Sequence, residues 1–413
     1  MKIPTQGGIR TDTCARSALR HERKLRRKIA KAHAAGRPKE TAHWTRRYLE
    51  SFDARLVATK IASRQLKPHL RPPKAALADI AANLDPWRGS DEPVIVHFKP
   101  KAENEHDFRP IMDFRIAHRA LQYLIRQVLS AQADLHPNQY ALQGGTHAAI
   151  GAVMKAMEIG YRWAVETDIS DCYPSFDADR IPYLLPLPEE VTNSVIVSSN
   201  LNLTPGNIAD CIGPVDVAEF PQGIGELFAD DIAEARRGIP QGSAASPLVT
   251  EILLAPVISQ LPECGIAIGY ADNILLMARK EADAVSITKA LRRALKAHPA
   301  GPLRPKKPKV YRPNQSVEFL GYRLKVKAGR CRARPSKRNL AQFKHQFSEG
   351  LDRISQTSIS TRSRRNRVGH LARFVRSWTA AFSHWDGATA RRGKYLGKIN
   401  AAAASLGIPE LED

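Results

Sequence analysis

The sequence predicts a mixed fold of helices and antiparallel strands, and three observations carry that prediction. Gly265 to Arg279 reads GIAIGYADNILLMAR: two apolar runs around a polar tip, Tyr270-Ala271-Asp272-Asn273, as two buried strands joined by a tight turn require. Ala164 to Asp168 (AVETD) is a second apolar strand, and it ends in an acid. Helical periodicity marks the basic N-terminal stretch, Ala282 to Lys296 and the last ninety residues.

Size and charge narrow the class. At 413 residues the chain can bury a sizeable core in two or three subdomains. Apolar and charged fractions of 43% and 25% exclude a disordered chain. The balance of 63 basic against 41 acidic residues gives +22, which points to a polyanionic partner, nucleic acid ahead of an acidic membrane surface. No apolar run reaches ~18 residues, so no membrane span is expected, and the start lacks a secretory signal. Cys14, Cys172, Cys211, Cys264 and Cys331 are odd in number and far apart. They fit neither a disulfide framework nor a zinc site and read as reduced thiols in a cytoplasmic protein.

In chain order, a very basic helix runs from Thr13 to about Ala35, with only Leu19, Leu25 and Ile29 as an apolar stripe. It reads as a solvated surface helix or an RNA-contacting arm, ended by Gly36-Arg37-Pro38. One helix is expected over Ala42 to Ser63, followed by a proline-punctuated linker from Leu66 to Pro73. Val94 to Phe98 and Phe108 to Arg115 form a basic two-stranded finger, and helices follow at Ala117 to Ala131 and Ala148 to Glu158. The stretch 178–237 is rich in Pro, Gly, Asn and Ser, with a short helix around Glu226 to Arg236. After the helix at Ala282 to Lys296 comes a basic, proline-broken link, then one strand over Val317 to Val326. In the C-terminal helices, Trp378, Phe382 and Trp385 read as packing residues, and Arg362, Arg364, Arg365 and Arg367 as contacts to a duplex backbone.

Asp168 and Asp272 are the candidate metal ligands. Magnesium takes oxygen donors, and two acids from separate strands supply them when the strand ends are neighbours. Either acid alone would be an ordinary strand-end or turn residue. The pair becomes specific because GIPQGSAASP (Gly238 to Pro247) lies between them, where Ser246-Pro247 reads as the N-cap and first turn of a helix.

Five motifs, FRPIMDFR, TDISDCYPSFD, GIPQGSAASPLV, GYADN and VEFLGYRL, occur in that order. With ARPSKRNLAQFK and FVRSWTAAFSHW beyond them, the series resembles bacterial reverse transcriptases, especially group II intron-type enzymes, over about Phe98 to Gly387. The resemblance implies an α+β right-hand polymerase, rich in helices, with an antiparallel-sheet palm. Its expected parts are a basic helical N-terminal extension (1–73), fingers (74–160), palm (161–328, with an inserted segment at 178–237) and a helical thumb (329–413). It also implies RNA-directed DNA polymerisation from dNTPs on an RNA template, giving a DNA product, with two Mg²⁺ ions, or Mn²⁺, about 3.5–4 Å apart.

By the same resemblance, Asp168 and Asp272 bind the metals and the Ile169 carbonyl adds an oxygen. Tyr173 stands where the family places an aromatic gate against the 2′-hydroxyl. Gln241 and Gly242 match the loop on the incoming base and template, and Arg109, with Lys99 or Lys101, matches residues that neutralise the triphosphate. Lys307 falls nearest the lysine that protonates the leaving pyrophosphate, with Lys306 and Lys309 as competitors. Phe319 to Tyr322 matches a primer-holding strand or is simply core.

Asn273 departs from the pattern, which usually has a second aspartate there. It keeps an oxygen but loses a charge worth at most ~4 kcal/mol opposite a cation at about 4 Å and an effective dielectric near 20. A working but slower or metal-shifted catalytic turn is expected. Neither a DNA-binding tail nor an endonuclease is expected, and a short, stand-alone, intron-like enzyme with an off-pattern active site resembles the reverse transcriptases that bacteria use in antiviral defence. The alternatives are a group II intron-type maturase or retroelement enzyme, and a catalytically silent RNA-binding scaffold. Which RNA is copied (a dedicated non-coding RNA among the options), the primer and the oligomeric state stay open.

Overall fold

The structure is a computed structural model that describes residues 9–101, 104–206, 229–356 and 360–408. In chain order its strands are β1 (Val94–Lys101), β2 (Asn104–Asp113), β3 (Trp163–Asp168), β4 (Leu203–Pro205) and β5 (Gly265–Tyr270). They continue with β6 (Asn273–Ala278), β7 (Lys309–Tyr311), β8 (Val317–Phe319), β9 (Tyr322–Lys327) and β10 (Arg330–Pro335). The chain divides into two compact units. One comprises 1–136, 169–260 and 292–305, the other 137–168, 261–291 and 306–413.

The first unit opens with helices α1 (Ile9–Ala34), α2 (Pro38–Glu50) and α3 (Phe52–Gln65). The single helix expected over Ala42 to Ser63 is two. Ser51 leaves the helical region (φ −71°, ψ 119°), and its hydroxyl accepts from the Ala54 N–H at 3.4 Å, capping α3. α1 buries one stripe, with Ala18, Leu25, Ile29 and Ala32 inward, while Leu19 of the expected stripe is exposed. Tyr48 donates to the buried Glu22 carboxylate at 2.9 Å, and burial, with that charge beside it, pushes the phenol pKa up. The Lys28 ammonium stands 3.6 Å over the Trp44 ring, so part of the helix's charge is already engaged.

β1 pairs antiparallel with β2 and parallel with β4. Val94, Val96, Phe98, Met112 and Phe114 bury one side of this sheet, with Ala235 from the helix Ala229–Ala235. The helix Ile116–Ser130 buries Leu121, Leu124, Ile125 and Val128.

In the second unit a four-stranded sheet runs in the order β5-β6-β3-β7, with every pairing antiparallel. The helix Gly145–Glu158 packs Ile150, Val153 and Met157 with Ile268, Leu275 and Met277 of that sheet. A second sheet has the order β8-β9-β10. The single strand expected over Val317 to Val326 is instead a hairpin, reversing at Leu320 (φ 46°) and Gly321 (φ 80°). The reversal sets Phe319 opposite Tyr322, and both rings are 1% exposed, so burial outweighs the strain of a left-handed leucine.

Helices Lys337–Ser355, Thr361–Ala381 and Ala388–Ala404 follow, so the last ninety residues become helical only after β10. Phe343 stacks on Trp378 with ring centres 4.1 Å apart, and Phe382 is buried, so these aromatics pack the fold. Arg364 and Arg367 donate to the carbonyls of Gln356 and Arg353, at 2.9 and 2.6 Å. They satisfy the carbonyl end of a helix, which limits their use on a duplex backbone. Among the described residues, no helix is long and apolar enough to cross a membrane.

Candidate active site

The acid turn is tighter than its sequence suggests. Tyr270 pairs with Asn273, so only Ala271 and Asp272 form the loop, and Ala271 takes the positive φ (51°) that such a short hairpin requires. β6 also pairs with β3, in a register that sets Asp168 directly opposite Asn273. Residues so placed hold their Cβ atoms about 4.5–5.5 Å apart. The first acid, the amide and the second acid therefore converge at one sheet end. Behind them Ile274 to Ala278 are at most 1% exposed, which fixes the register.

The charges are partly compensated. The Asn273 Nδ2 donates to the Asp272 Oδ1 at 3.0 Å. The Lys306 Nζ lies 2.9 Å from the Asp168 Oδ2, with both side chains about one-third exposed. Lys306 is fixed through its backbone as well: its N–H donates to the Asp168 carbonyl at 2.8 Å, and the Thr167 hydroxyl donates to the Lys306 carbonyl at 3.1 Å. Of the three candidate lysines, Lys306 thus meets Asp168, Lys307 is exposed, and Lys309 pairs with Glu318 at 3.4 Å. Side-chain placement separates them where sequence spacing leaves three options.

Glu166 escaped the sequence reading. Two residues before Asp168, it lies on the same strand face, the one signal that points to it. The Tyr311 hydroxyl donates to its Oε2 at 2.6 Å. Burial raises the Glu166 pKa against that hydrogen bond, and burial with the same bond pushes the Tyr311 phenol up to about 12.

The remaining candidates belong to the first unit. Ile169 is 2% exposed and forms an antiparallel bridge with Pro305. Tyr173 is half-buried on the one-turn helix Cys172–Ser175, and its carbonyl accepts from the Ile239 N–H at 3.1 Å. The Gln241 carbonyl accepts from the Met112 N–H at 2.8 Å. Gly242 has φ 109°, and a Cβ there would fall 2.3 Å from the Met112 carbonyl oxygen, so only glycine lets the loop lie on β2.

Ser246 is not the N-cap. Ala245 takes that place, and the Ser246 hydroxyl donates back to the Pro240 carbonyl at 2.7 Å, bracing the loop instead. Arg109 is exposed and directly opposite Lys99, two cations facing one another. Lys101 ends β1, and its side chain lies outside the described residues.

Among the described residues, no group of three His, Cys, Asp or Glu gathers as a metal site. Two carboxylates still fit a hard cation that completes its shell with phosphates and water. The Lys306 ammonium on Asp168 shows that this carboxylate draws a positive charge.

The family described as reverse transcriptase (RNA-dependent DNA polymerase) matches residues 99–324, more than half of the sequence. The chain belongs to that family of nucleotidyltransferases, and its helix-rich α+β architecture is the family's polymerase fold. Among solved structures, telomerase from Candida albicans in complex with the TWJ fragment of telomeric RNA is similar, with a TM-score of 0.37 and 11% identity. The match covers 80% of this chain and 65% of that one, so the chain spans less than two thirds of its length. A likeness at that level adds nothing to the family match. No curated protein matches the sequence.

Proposed function

We propose that the chain is an RNA-directed DNA polymerase, which adds dNTPs to a primer on an RNA template and reacts at the acid turn. The observation that carries this reading is the register that sets Asp168 opposite Asn273 beside Asp272. Two acids at one sheet end repel each other and a phosphate backbone alike, an arrangement without use unless cations join them. Asp168 and Asp272, with the Ile169 carbonyl, would hold two Mg²⁺ ions. Bound there, the ions would activate the primer hydroxyl and stabilise the charge that develops on the transferred phosphate.

The chain's own groups do the rest. The Asn273 amide aims the Asp272 carboxylate and avoids a third negative charge. Lys306 neutralises Asp168 before substrate arrives, and joins Lys307 as a candidate to protonate the leaving pyrophosphate. The Tyr173 ring excludes a 2′-hydroxyl, Gln241 and Gly242 meet the incoming base and template, and Arg109 with Lys101 binds the triphosphate. The division into N-terminal extension, fingers, palm and thumb belongs to the same proposal.

Purified protein on a primed RNA template should incorporate dNTPs with Mg²⁺ and fail to do so as Asp272→Ala. Tyr173→Val should raise rNTP use without abolishing dNTP use. A Tyr173→Val enzyme with unchanged discrimination would end the gate assignment. The setting we propose is bacterial antiviral defence, supported by the resemblance alone. The neighbouring genes test it: a defence cluster supports it, and intron RNA around the gene replaces it with the maturase reading.

A further inference from the structure

The sheet β8-β9-β10 has one buried and one exposed face. Tyr322, Leu324, Cys331 and Ala333 point inward and are at most 6% exposed. Outward stand Arg323, Lys325 and Lys327 of β9 and Arg330, Arg332 and Arg334 of β10, all exposed. The register pairs them Arg323↔Arg334, Lys325↔Arg332 and Lys327↔Arg330, so three pairs of cations directly face each other. Like charges so placed destabilise a sheet.

Some cations elsewhere have acids, such as Arg26 with Glu22 at 3.3 Å, Arg46 with Glu50 at 2.9 Å and Arg119 with Asp113 at 2.7 Å. None of the six on this sheet makes an ion pair among the described residues. Between them opens a cavity of about 230 Å³, lined by Ser316 and five of the six cations.

We infer that this ladder is a docking surface for the sugar-phosphate backbone of an RNA, separate from the acid turn. Each strand presents three cations about 6.7 Å apart, a step close to that of successive phosphates, on a sheet held rigid by its buried face. A lipid surface fits less well, because membrane-binding faces mix apolar side chains with their cations. The six outward positions on β9 and β10 hold none. The choice of RNA over DNA rests on the proposed polymerase reading.

The test uses the full chain, a fluorescein-labelled RNA stem-loop and salt from roughly 50 to 200 mM. The combined variant Lys325→Ala, Lys327→Ala, Arg330→Ala, Arg332→Ala should bind at least tenfold more weakly. Its salt dependence should become shallower by about 1 log unit per log unit of salt for each cation removed. Incorporation of dNTPs on a short primed template at saturating concentration should not change. The charge-keeping variant Lys325→Arg, Arg332→Lys should bind as wild type, and unchanged incorporation by the alanine variant excludes a folding defect in it. Asp272→Ala should lose incorporation but keep the salt slope, so the two readings fail separately. Unchanged RNA affinity and slope in the alanine variant would overturn the inference. So would equal losses on a DNA stem-loop, or loss of binding to phosphatidylserine vesicles alone.

Discussion

Two hairpins of the same unit are built alike and charged in opposite ways. β5–β6 turns through Ala271 (φ 51°) and Asp272, and β9–β10 turns through Ala328 (φ 51°) and Gly329 (φ 78°). Each rests on a buried apolar face. In the first, like-charge repulsion is relieved from within: an amide stands opposite Asp168, donates to Asp272, and Lys306 covers Asp168. In the second, three cation pairs face each other, and the acid across the sheet from Arg323, Glu318, pairs with Lys309 instead. At roughly 0.2–1 kcal/mol per pair, that repulsion is tolerable in a folded domain but not negligible. A compensated charge cluster suits a site that must persist between turnovers, and an uncompensated one suits a surface completed by its partner.

Removing the acid of the first hairpin should have the largest effect. Asp272→Ala should lower single-turnover dNTP incorporation about a thousandfold, equivalent to ~4 kcal/mol. Its melting temperature without metal should change little, since the loss of a repelling charge offsets the loss of the Asn273 hydrogen bond. A fall of several degrees would mean that Asp272 is structural.

Restoring a second acid sharpens the same point. Asn273→Asp trades a donated hydrogen bond for a charge opposite Asp168, a loss on the order of 1 kcal/mol. Melting in chelator should drop by a few degrees, and Mg²⁺ should recover it. An unchanged melting temperature would show that the amide contributes nothing.

The second hairpin should respond in the opposite sense. Arg332→Glu places an anion opposite Lys325 and should raise stability by about 0.5 kcal/mol in a denaturant titration, while weakening RNA-stem-loop binding. If stability falls, the ladder is not under repulsion.

A control away from both hairpins gives the smallest effect. His298 donates from Nε2 to the Leu253 carbonyl at 2.8 Å and accepts the Ala300 N–H on Nδ1 at 3.1 Å. Burial lowers its pKa. A base whose folded pKa lies below its unfolded value gives stability that is complete above about pH 6.5 and lost as pH falls through that value. Melts between about pH 7.5 and 5 should decline less steeply in His298→Gln, and an equal decline would exclude His298 as a contributor.

Local pattern made much of this legible. The apolar runs around Tyr270 to Asn273 place Asp272 in the turn between two strands, and the strand ending at Asp168 places the other acid at a strand end, because short apolar runs bounded by polar residues leave few alternatives. The pairing of Asp168 with Asn273 is non-local, and no spacing along the chain encodes it. Three features stayed hidden for specific reasons. Ser51 splits a helix whose flanks both look helical, and only its cap to Ala54 reveals the break. Leu320 occupies a left-handed turn position that leucine disfavours, so VEFLGYRL reads as one strand until Phe319 and Tyr322 are seen buried side by side. The three neighbouring lysines differ only in where their side chains end. The cationic alternation of β9 and β10 is plain in the sequence, but the register that makes it a ladder is not.

The most direct measurement is dNTP incorporation on primed RNA together with RNA affinity across salt, for the wild type, Asp272→Ala and the four-residue ladder variant. Incorporation should vanish only in Asp272→Ala, and the salt slope should flatten only in the ladder variant. If Asp272→Ala incorporates dNTPs as the wild type does, or if no protein incorporates them with Mg²⁺ or Mn²⁺, the acid turn is not the reacting centre and the polymerase reading is contradicted.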